Sequence, residues 1–225
     1  MEGKTITQDE IEIVYNLLEG RERVCIVDLG AADLTHSVRF RDKFGSRASI
    51  YAIEPDRNYE AKNYHNAKSF QIDFTPALIS GEDREAVRFY PSTTYERYTG
   101  SKTLWAGSGS IYKPNKEFID RTYPTLEFDE EGYEVKSYSW DSFVGSRRIE
   151  SVDYLHIDAQ GSEYEIIKNM TKVFPDFIFA EISDFDTYHT GVKLEDFDLM
   201  MFDKGYVLVA TDEANALYIK AQKMI

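Results

Sequence analysis

The chain has 225 residues, 40 of them acidic and 26 basic, for a formal charge of −14 and a pI near 4.8. That balance argues against a nucleic-acid backbone or an anionic membrane surface as partner, because each demands a basic face. No apolar run approaches the ~18–20 residues of a membrane span, the segment Met1-Glu2-Gly3-Lys4 has neither the basic nor the apolar region of a signal peptide, and the expectation is an acidic globular protein of the cytoplasm.

In chain order, Ile11, Val14, Tyr15 and Leu18 follow helical spacing between Asp9 and Gly20. Val24-Cys25-Ile26-Val27-Asp28 is a short apolar strand ending in an acid. Cys25 is the only cysteine, which excludes an internal disulfide, a Cys-based zinc cluster and Cys-x-x-Cys redox chemistry. Its setting reads as a buried strand thiol. Ser49-Ile50-Tyr51-Ala52-Ile53-Glu54 repeats the scheme of the first strand, a polar helix is expected over Asp56 to Asn66, and a third strand around Ser69-Phe70-Gln71-Ile72. A fourth strand is predicted at Val152 to Asp158 and a fifth at Phe177 to Ile182. Between them Ser162 and Glu165 have the spacing of a capping box, followed by the stripe Ile166, Ile167, Met170 and Val173 and then by Pro175. Tyr206 to Ala210 and Ala216 to Ile219 flank Asp212-Glu213-Ala214-Asn215, as in an antiparallel pair.

Residues 85–140 break this rhythm with a strand at Glu85 to Tyr90, the Gly107-Ser108-Gly109-Ser110 segment and an aromatic-studded stretch through Tyr123, Tyr133 and Trp140. So long an interruption reads either as aromatics packing a β-extension or as an insertion that binds something. The predicted architecture is α/β: a Rossmann-like, doubly wound, mostly parallel sheet with an antiparallel C-terminal strand pair and a β-rich insertion. Residues 1–225 are expected to form a single domain, with the insertion contributing to an acceptor site.

Asp28, Glu54, Asp158 and Glu181 all end predicted parallel strands and so share one sheet edge, where doubly wound folds bind ligands. Glu54 follows Asp28 by one strand–helix–strand step and is placed to accept hydrogen bonds from both ribose hydroxyls of an adenosine. The loop Gly30-Ala31-Ala32-Asp33-Leu34-Thr35 keeps only the first glycine of G-x-G-x-x-G. A pyrophosphate would therefore lack its close backbone approach, and an adenosine ligand without one, S-adenosylmethionine, fits better. Asp158 and Glu181 end strands joined by one crossover, which brings two carboxylates together. Such a pair suits Mg²⁺ or another divalent cation, or else acts directly as base and positioning group.

The run Leu155-His156-Ile157-Asp158-Ala159-Gln160-Gly161-Ser162-Glu163-Tyr164-Glu165, with Ile26-Val27-Asp28-Leu29-Gly30-Ala31 and Tyr51-Ala52-Ile53-Glu54-Pro55-Asp56, resembles the FkbM-type methyltransferases. These are a branch of class I S-adenosylmethionine-dependent O-methyltransferases, with a K-I-D-x-E/Q-G-x-E run, a D-x-G-A-N-x-G loop and an F/I-E-P element. The likeness runs from about Val24 to Tyr206. Ala32 and Leu34 stand where the family usually has Asn and a second Gly, His156 where it commonly has Lys, and Gln160 where Glu is more usual. The resemblance implies that Asp28, Gly30 and Ala31 line the methionine and ribose of the cofactor, that Glu54 holds the ribose, and that Asp73 lies toward the adenine. It also implies Glu163 in the substrate site, although as a first-turn acid Glu163 has a purely structural reading too.

Asp158 is the expected base. His189, in a loop beyond the fifth strand, is a second candidate, His156 reads as a core histidine, and His36 is a further possibility on the helix after the first loop. The function expected is S-adenosylmethionine-dependent O-methylation of a hydroxyl on a sugar, a glycan or a glycosylated small molecule. An NAD-type or sugar-nucleotide-binding enzyme, or a catalytically degenerate binding protein, is the alternative. The sequence leaves the oligomeric state open.

Overall fold

The computed structural model describes residues 4–6, 9–95, 102–103, 107–182, 187–188, 190, 192–212 and 214–223. In chain order come β1 (Lys4–Thr5), α1 (Glu10–Leu17), β2 (Val24–Leu29), α2 (Thr35–Phe44), β3 (Ala48–Ile53), α3 (Arg57–Phe70), β4 (Asp73–Thr75) and β5 (Leu78–Ser80). Then follow β6 (Arg84–Phe89), β7 (Ser92–Tyr95), β8 (Lys102–Thr103), α4 (Lys116–Thr122), β9 (Leu126–Phe128), β10 (Tyr133–Ser139) and α5 (Trp140–Arg147). The chain closes with β11 (Tyr154–Ile157), α6 (Glu163–Lys168), β12 (Phe177–Glu181), α7 (Leu194–Asp203), β13 (Tyr206–Thr211) and β14 (Asn215–Lys220).

One eight-stranded sheet runs β1-β13-β14-β12-β11-β2-β3-β4. β4, β3, β2, β11 and β12 are mutually parallel, and β14 is antiparallel to both β12 and β13. Strand order reverses between β2 and β11, so the doubly wound architecture expected from the sequence is the one observed. The C-terminal pair enters with β14 against β12, and the short β1 pairs with β13 beyond it.

Side-chain alternation along each strand feeds two cores. From β2, Val24 and Ile26 pack with Ile11 and Val14 of α1 and Phe40 and Phe44 of α2, whereas Val27 and Leu29 pack with Trp140 of α5, Ile166 of α6 and Phe197 of α7. Each fully buried aliphatic chain contributes roughly 1.5–3 kcal/mol, and the apolar character of both faces is why these strands read as unbroken runs. Cys25 is half-buried, and burial pushes its thiol up to about 11.

Two local expectations are corrected. The third strand begins at Asp73, because Ser69 and Phe70 complete the last turn of α3 and Gln71 ends it in a left-handed conformation (φ +55°). Arg41 fixes that end by donating to the Phe70 and Gln71 carbonyls. The capping box does not form either: Ser162 makes no side-chain cap bond, and its Oγ is buried without a partner among the described residues. Glu163 caps the turn instead, accepting from the Ala159 and Gly161 amides at 2.6 and 2.9 Å.

The interruption is β-rich as expected, and the extension starts earlier than residue 85. β5 joins β10 and β6 in one three-stranded sheet, and β8-β7-β9 forms another. Tyr133 ties this extension to the end of β3, its hydroxyl donating to Asp56 Oδ1 and accepting from the Arg57 amide.

Gly30 follows the end of β2, hard against the end of the neighbouring β11. Its φ is +79°, and a Cβ there would lie 1.7 Å from the Asp158 carbonyl oxygen. The substitution Gly30→Ala therefore combines backbone strain with a main-chain overlap. It is expected to cost roughly 3 kcal/mol or more, on the order of 6–12 °C in melting temperature for a chain this size. Thermal denaturation followed by circular dichroism checks this, and an unchanged midpoint would show that the two loops can separate freely.

Candidate active site

A cavity opens at the carboxyl ends of β2, β3 and β11, where the strand order reverses. Gly30, Glu54, Pro55 and Asp158–Gln160 line it from the main sheet, with Ala77–Ile79 beside them. Phe89 and the stretch from Gly107 to Ile111 cover it from the extension. Three strand ends are joined here: the Gly30 and Ala31 amides both donate to the Ile53 carbonyl, and the Asp158 amide donates to that of Leu29.

Glu54 is the buried acid of this cavity, 6% exposed. Its Oε2 accepts from the Ala32 amide at 2.9 Å and its Oε1 from the Asp56 amide at 2.7 Å, leaving each oxygen capacity for one further donor. Burial pushes its carboxyl up to about 8 and the charges of Asp56 and Asp158 add to the rise, against the pull of the two amide bonds.

The first loop departs from the family pattern at two positions, and both are left-handed: Ala32 has φ +43° and Leu34 φ +66°. Asn and Gly tolerate that region, and other residues give up about 1–2 kcal/mol there. At Leu34 complete burial of the side chain, roughly 1.5–3 kcal/mol, outweighs the strain. At Ala32 the loop is held by hydrogen bonds at both ends of the residue, to Glu54 Oε2 and from Asn63 Nδ2.

Asp158 and Glu181 come together as the topology required, with Gln160 between them. The Gln160 side-chain nitrogen donates to Asp158 Oδ1 at 2.5 Å and to Glu181 Oε2 at 2.8 Å. Its Oε1 faces the Tyr188 hydroxyl at 2.6 Å, and its main-chain carbonyl accepts from Ser110 Oγ at 2.7 Å. Two carboxylates can only accept, so the amide orientation is fixed by its partners. Where the sequence suggested a divalent cation shared by Asp158 and Glu181, a neutral donor stands between the two oxygens.

The remaining expected residues separate. Asp28 is fully buried on the α1/α2 face, accepting from Ser37 Oγ at 2.5 Å, and does not line the cavity. Ala31 is buried in the same core and contributes its amide to the Ile53 carbonyl. Asp73 pairs with Arg147 at 3.1 Å, away from the cavity. Glu163 is spent on the Ala159 and Gly161 amides. His156 lies on the far face, stacked on Phe179 and bonded to Glu10. His189 lies outside the described residues. Gln160, Tyr188 and Ser110 were not foreseen as a network. The Gln in place of the family's usual Glu was the available signal.

The strand order and the site at its reversal define a class I methyltransferase fold. The chain belongs to the FkbM methyltransferase family, whose domain model matches residues 28–208. It is similar, at 26% identity over 185 residues, to the 2-O-methyltransferase NoeI of Sinorhizobium fredii, covering 80% of this chain and 72% of that one. Among solved structures, methyltransferase FkbM from Methylobacillus flagellatus KT superposes with a TM-score of 0.53 at 12% identity over 91% of this chain, which spans only 45% of that protein. A putative caffeoyl-CoA O-methyltransferase from Staphylococcus aureus does so with 0.51 at 10% identity, covering 97% and 86% of the two chains. The chain is a methyltransferase. Among the described residues no helix is long and apolar enough to cross a membrane.

Two measurements test this geometry. Replacing Gln160 by Leu removes the donor that Asp158 and Glu181 share, at an expected cost of about 1–3 kcal/mol in urea denaturation. For Glu54, the folded chain keeps a proton between the ordinary value near 4.5 and the raised one near 8. This carboxyl therefore makes stability fall as pH rises through that window, and Glu54→Gln should flatten that part of the stability–pH curve.

Proposed function

We propose that this protein is an S-adenosylmethionine-dependent O-methyltransferase whose acceptor is a hydroxyl of a sugar, a glycan or a glycosylated small molecule. The observation that carries the reading is the buried Glu54 at the end of β3, facing the Gly30 loop across a cavity at the strand-order reversal. A carboxylate there accepts from ribose hydroxyls, and the residue without a Cβ lets backbone lie against the ligand. The donor set fits an adenosine with no pyrophosphate, since the first loop lacks the further glycines a diphosphate needs. The name of the Sinorhizobium relative supports oxygen as the methylated atom.

Bound S-adenosylmethionine supplies a methyl group on a sulfonium, whose sulfur leaves as a neutral thioether when the acceptor oxygen takes the methyl. The chain's own work is alignment and proton removal. Glu54 fixes the ribose end. Asp158, at the cavity wall, takes the acceptor hydroxyl's proton, while Gln160 holds its other lone pairs and sets its direction. Phe89 and the Gly107 to Ile111 stretch keep water from the transfer. Beside them the extension forms a hollow with Tyr90, Pro114, Leu126 and Phe128 along its apolar side and Lys113, Lys116, Asp120 and Glu127 at its rim. Rings and charges in that combination suit the two-sided chemistry of a pyranose.

Isothermal titration with S-adenosylhomocysteine and with NAD decides the cofactor. Micromolar binding of the first and none of the second is expected, weakened about ten-fold or more by Glu54→Gln. Asp158→Asn should lower kcat by about a hundred-fold or more, with cofactor affinity within a few-fold of the parent, in methyl transfer to a panel of free and glycosidic sugars. Binding of NAD alone would replace this reading with a dehydrogenase or epimerase. Binding of neither would mark a degenerate binding protein.

A further inference from the structure

On the face of the sheet opposite α5–α7, a second polar cluster lies buried that the methyl-transfer site does not use. β11 and β2 pair with His156 opposite Asp28, so their side chains stand next to each other on that face. α1 begins at Glu10, after Asp9 caps it, and the first turn of α2 brings His36 over the same point. One ligating atom each of Glu10, His36 and His156 lies within 4.8 Å of the others. Glu10 Oε1 is 2.8 Å from His156 Nδ1, Glu10 Oε2 is 3.9 Å from His36 Nε2, and the two imidazole centroids are 4.8 Å apart.

We propose that Glu10, His36 and His156 form a binding site for a divalent transition-metal ion of the zinc class, with the Asp28 carboxyl beside it on the same face. Two imidazoles and a carboxylate are a ligand set that zinc favours, and metal–ligand distances near 2.0–2.1 Å put tetrahedral donors about 3.3 Å apart. One atom from each of the three side chains already lies within 4.8 Å of the other two, so modest side-chain movement brings them to that spacing. His36, with its side chain 41% exposed, can close the difference by a small rotation.

Asp28 supplies the independent observation. Its Oδ2 accepts from Ser37, while its Oδ1 is buried with no hydrogen-bond partner among the described residues. The charges of His156, His36 and Glu10 all act on this carboxyl. An ordinary ion pair between His156 and Glu10 leaves that oxygen unsatisfied, at a cost of roughly 1–3 kcal/mol, and leaves His36 beyond hydrogen-bond reach of Glu10. A dication answers both, and two carboxylates neutralise it. Three side chains supply the ligands, on the face of the sheet away from the methyl-transfer cavity. The site fastens the start of α1 and the first turn of α2 to β11, beneath the loop that carries Gly30.

The test uses untagged full-length protein, stripped with chelator, dialysed and titrated with zinc chloride. One zinc per chain is expected, with micromolar or tighter affinity and a rise of several degrees in melting temperature. His36→Ala, at a part-exposed position, should keep the zinc-free melting temperature, lose about ten-fold or more in zinc affinity and lose the thermal shift. Asp28→Asn, which keeps the side chain's shape, should also weaken binding. His65→Ala, on the exposed side of α3, is the control and should change nothing. Substoichiometric zinc, unaltered binding by His36→Ala, or loss of binding in the His65 control would each overturn the proposal.

Discussion

The close approach of the ends of β2 and β11, at Gly30, is the constraint on which the rest of the site depends. There two strand ends lie so close that no side-chain atom fits between the residue-30 backbone and the Asp158 carbonyl. That approach lets the Asp158 amide reach Leu29 while Gly30 and Ala31 both reach Ile53, so three parallel strands end at one level. Glu54 then stands within reach of the Ala32 amide, and the first loop is drawn into the left-handed turns at Ala32 and Leu34. Moving one strand end would move every acid that faces the cavity.

The acidic character of the chain takes on a more definite form in this light. Neutral donors answer its interior carboxylates: two main-chain amides for Glu54, two for Glu163, the Gln160 side chain for the Asp158–Glu181 pair and a serine hydroxyl for Asp28. Such donors stabilise negative charge without cancelling it. Surface acids, by contrast, pair with Arg39, Lys43, Lys62 and Arg147.

Much of this was legible in the sequence, for identifiable reasons. Strands buried on both faces are continuous apolar runs, so β2, β3, β11 and β12 could be placed almost to the residue, and the acids at their ends shared an edge by topology alone. What failed were properties set by partners distant in sequence. Arg41, from α2, decides where α3 ends, and so the third strand was placed too early. Near Ser162 spacing favoured Glu165 as the capping acid, whereas Glu163 reaches back to the Ala159 and Gly161 amides and Glu165 faces Lys168 and Asn169. The apolar run correctly put Asp28 in a strand but could not show that its face belongs to α1 and α2 instead of the cavity. The meaning of Ala32 and Leu34 also changed: the departures from Asn and Gly mark backbone conformations that the loop retains, held by burial and hydrogen bonds.

Gln160 has a consequence for how the chemistry of this fold can diverge. Glutamine and glutamate are nearly isosteric, and their codons differ by a single base. With the amide, the two flanking carboxylates are satisfied from within the chain. With an acid at that position, three carboxylates would converge on one point, and the cleft would have to recruit a proton or a cation to stay folded. One nucleotide change at this position therefore alters the charge at the meeting point of these side chains by one unit, with the backbone left in place.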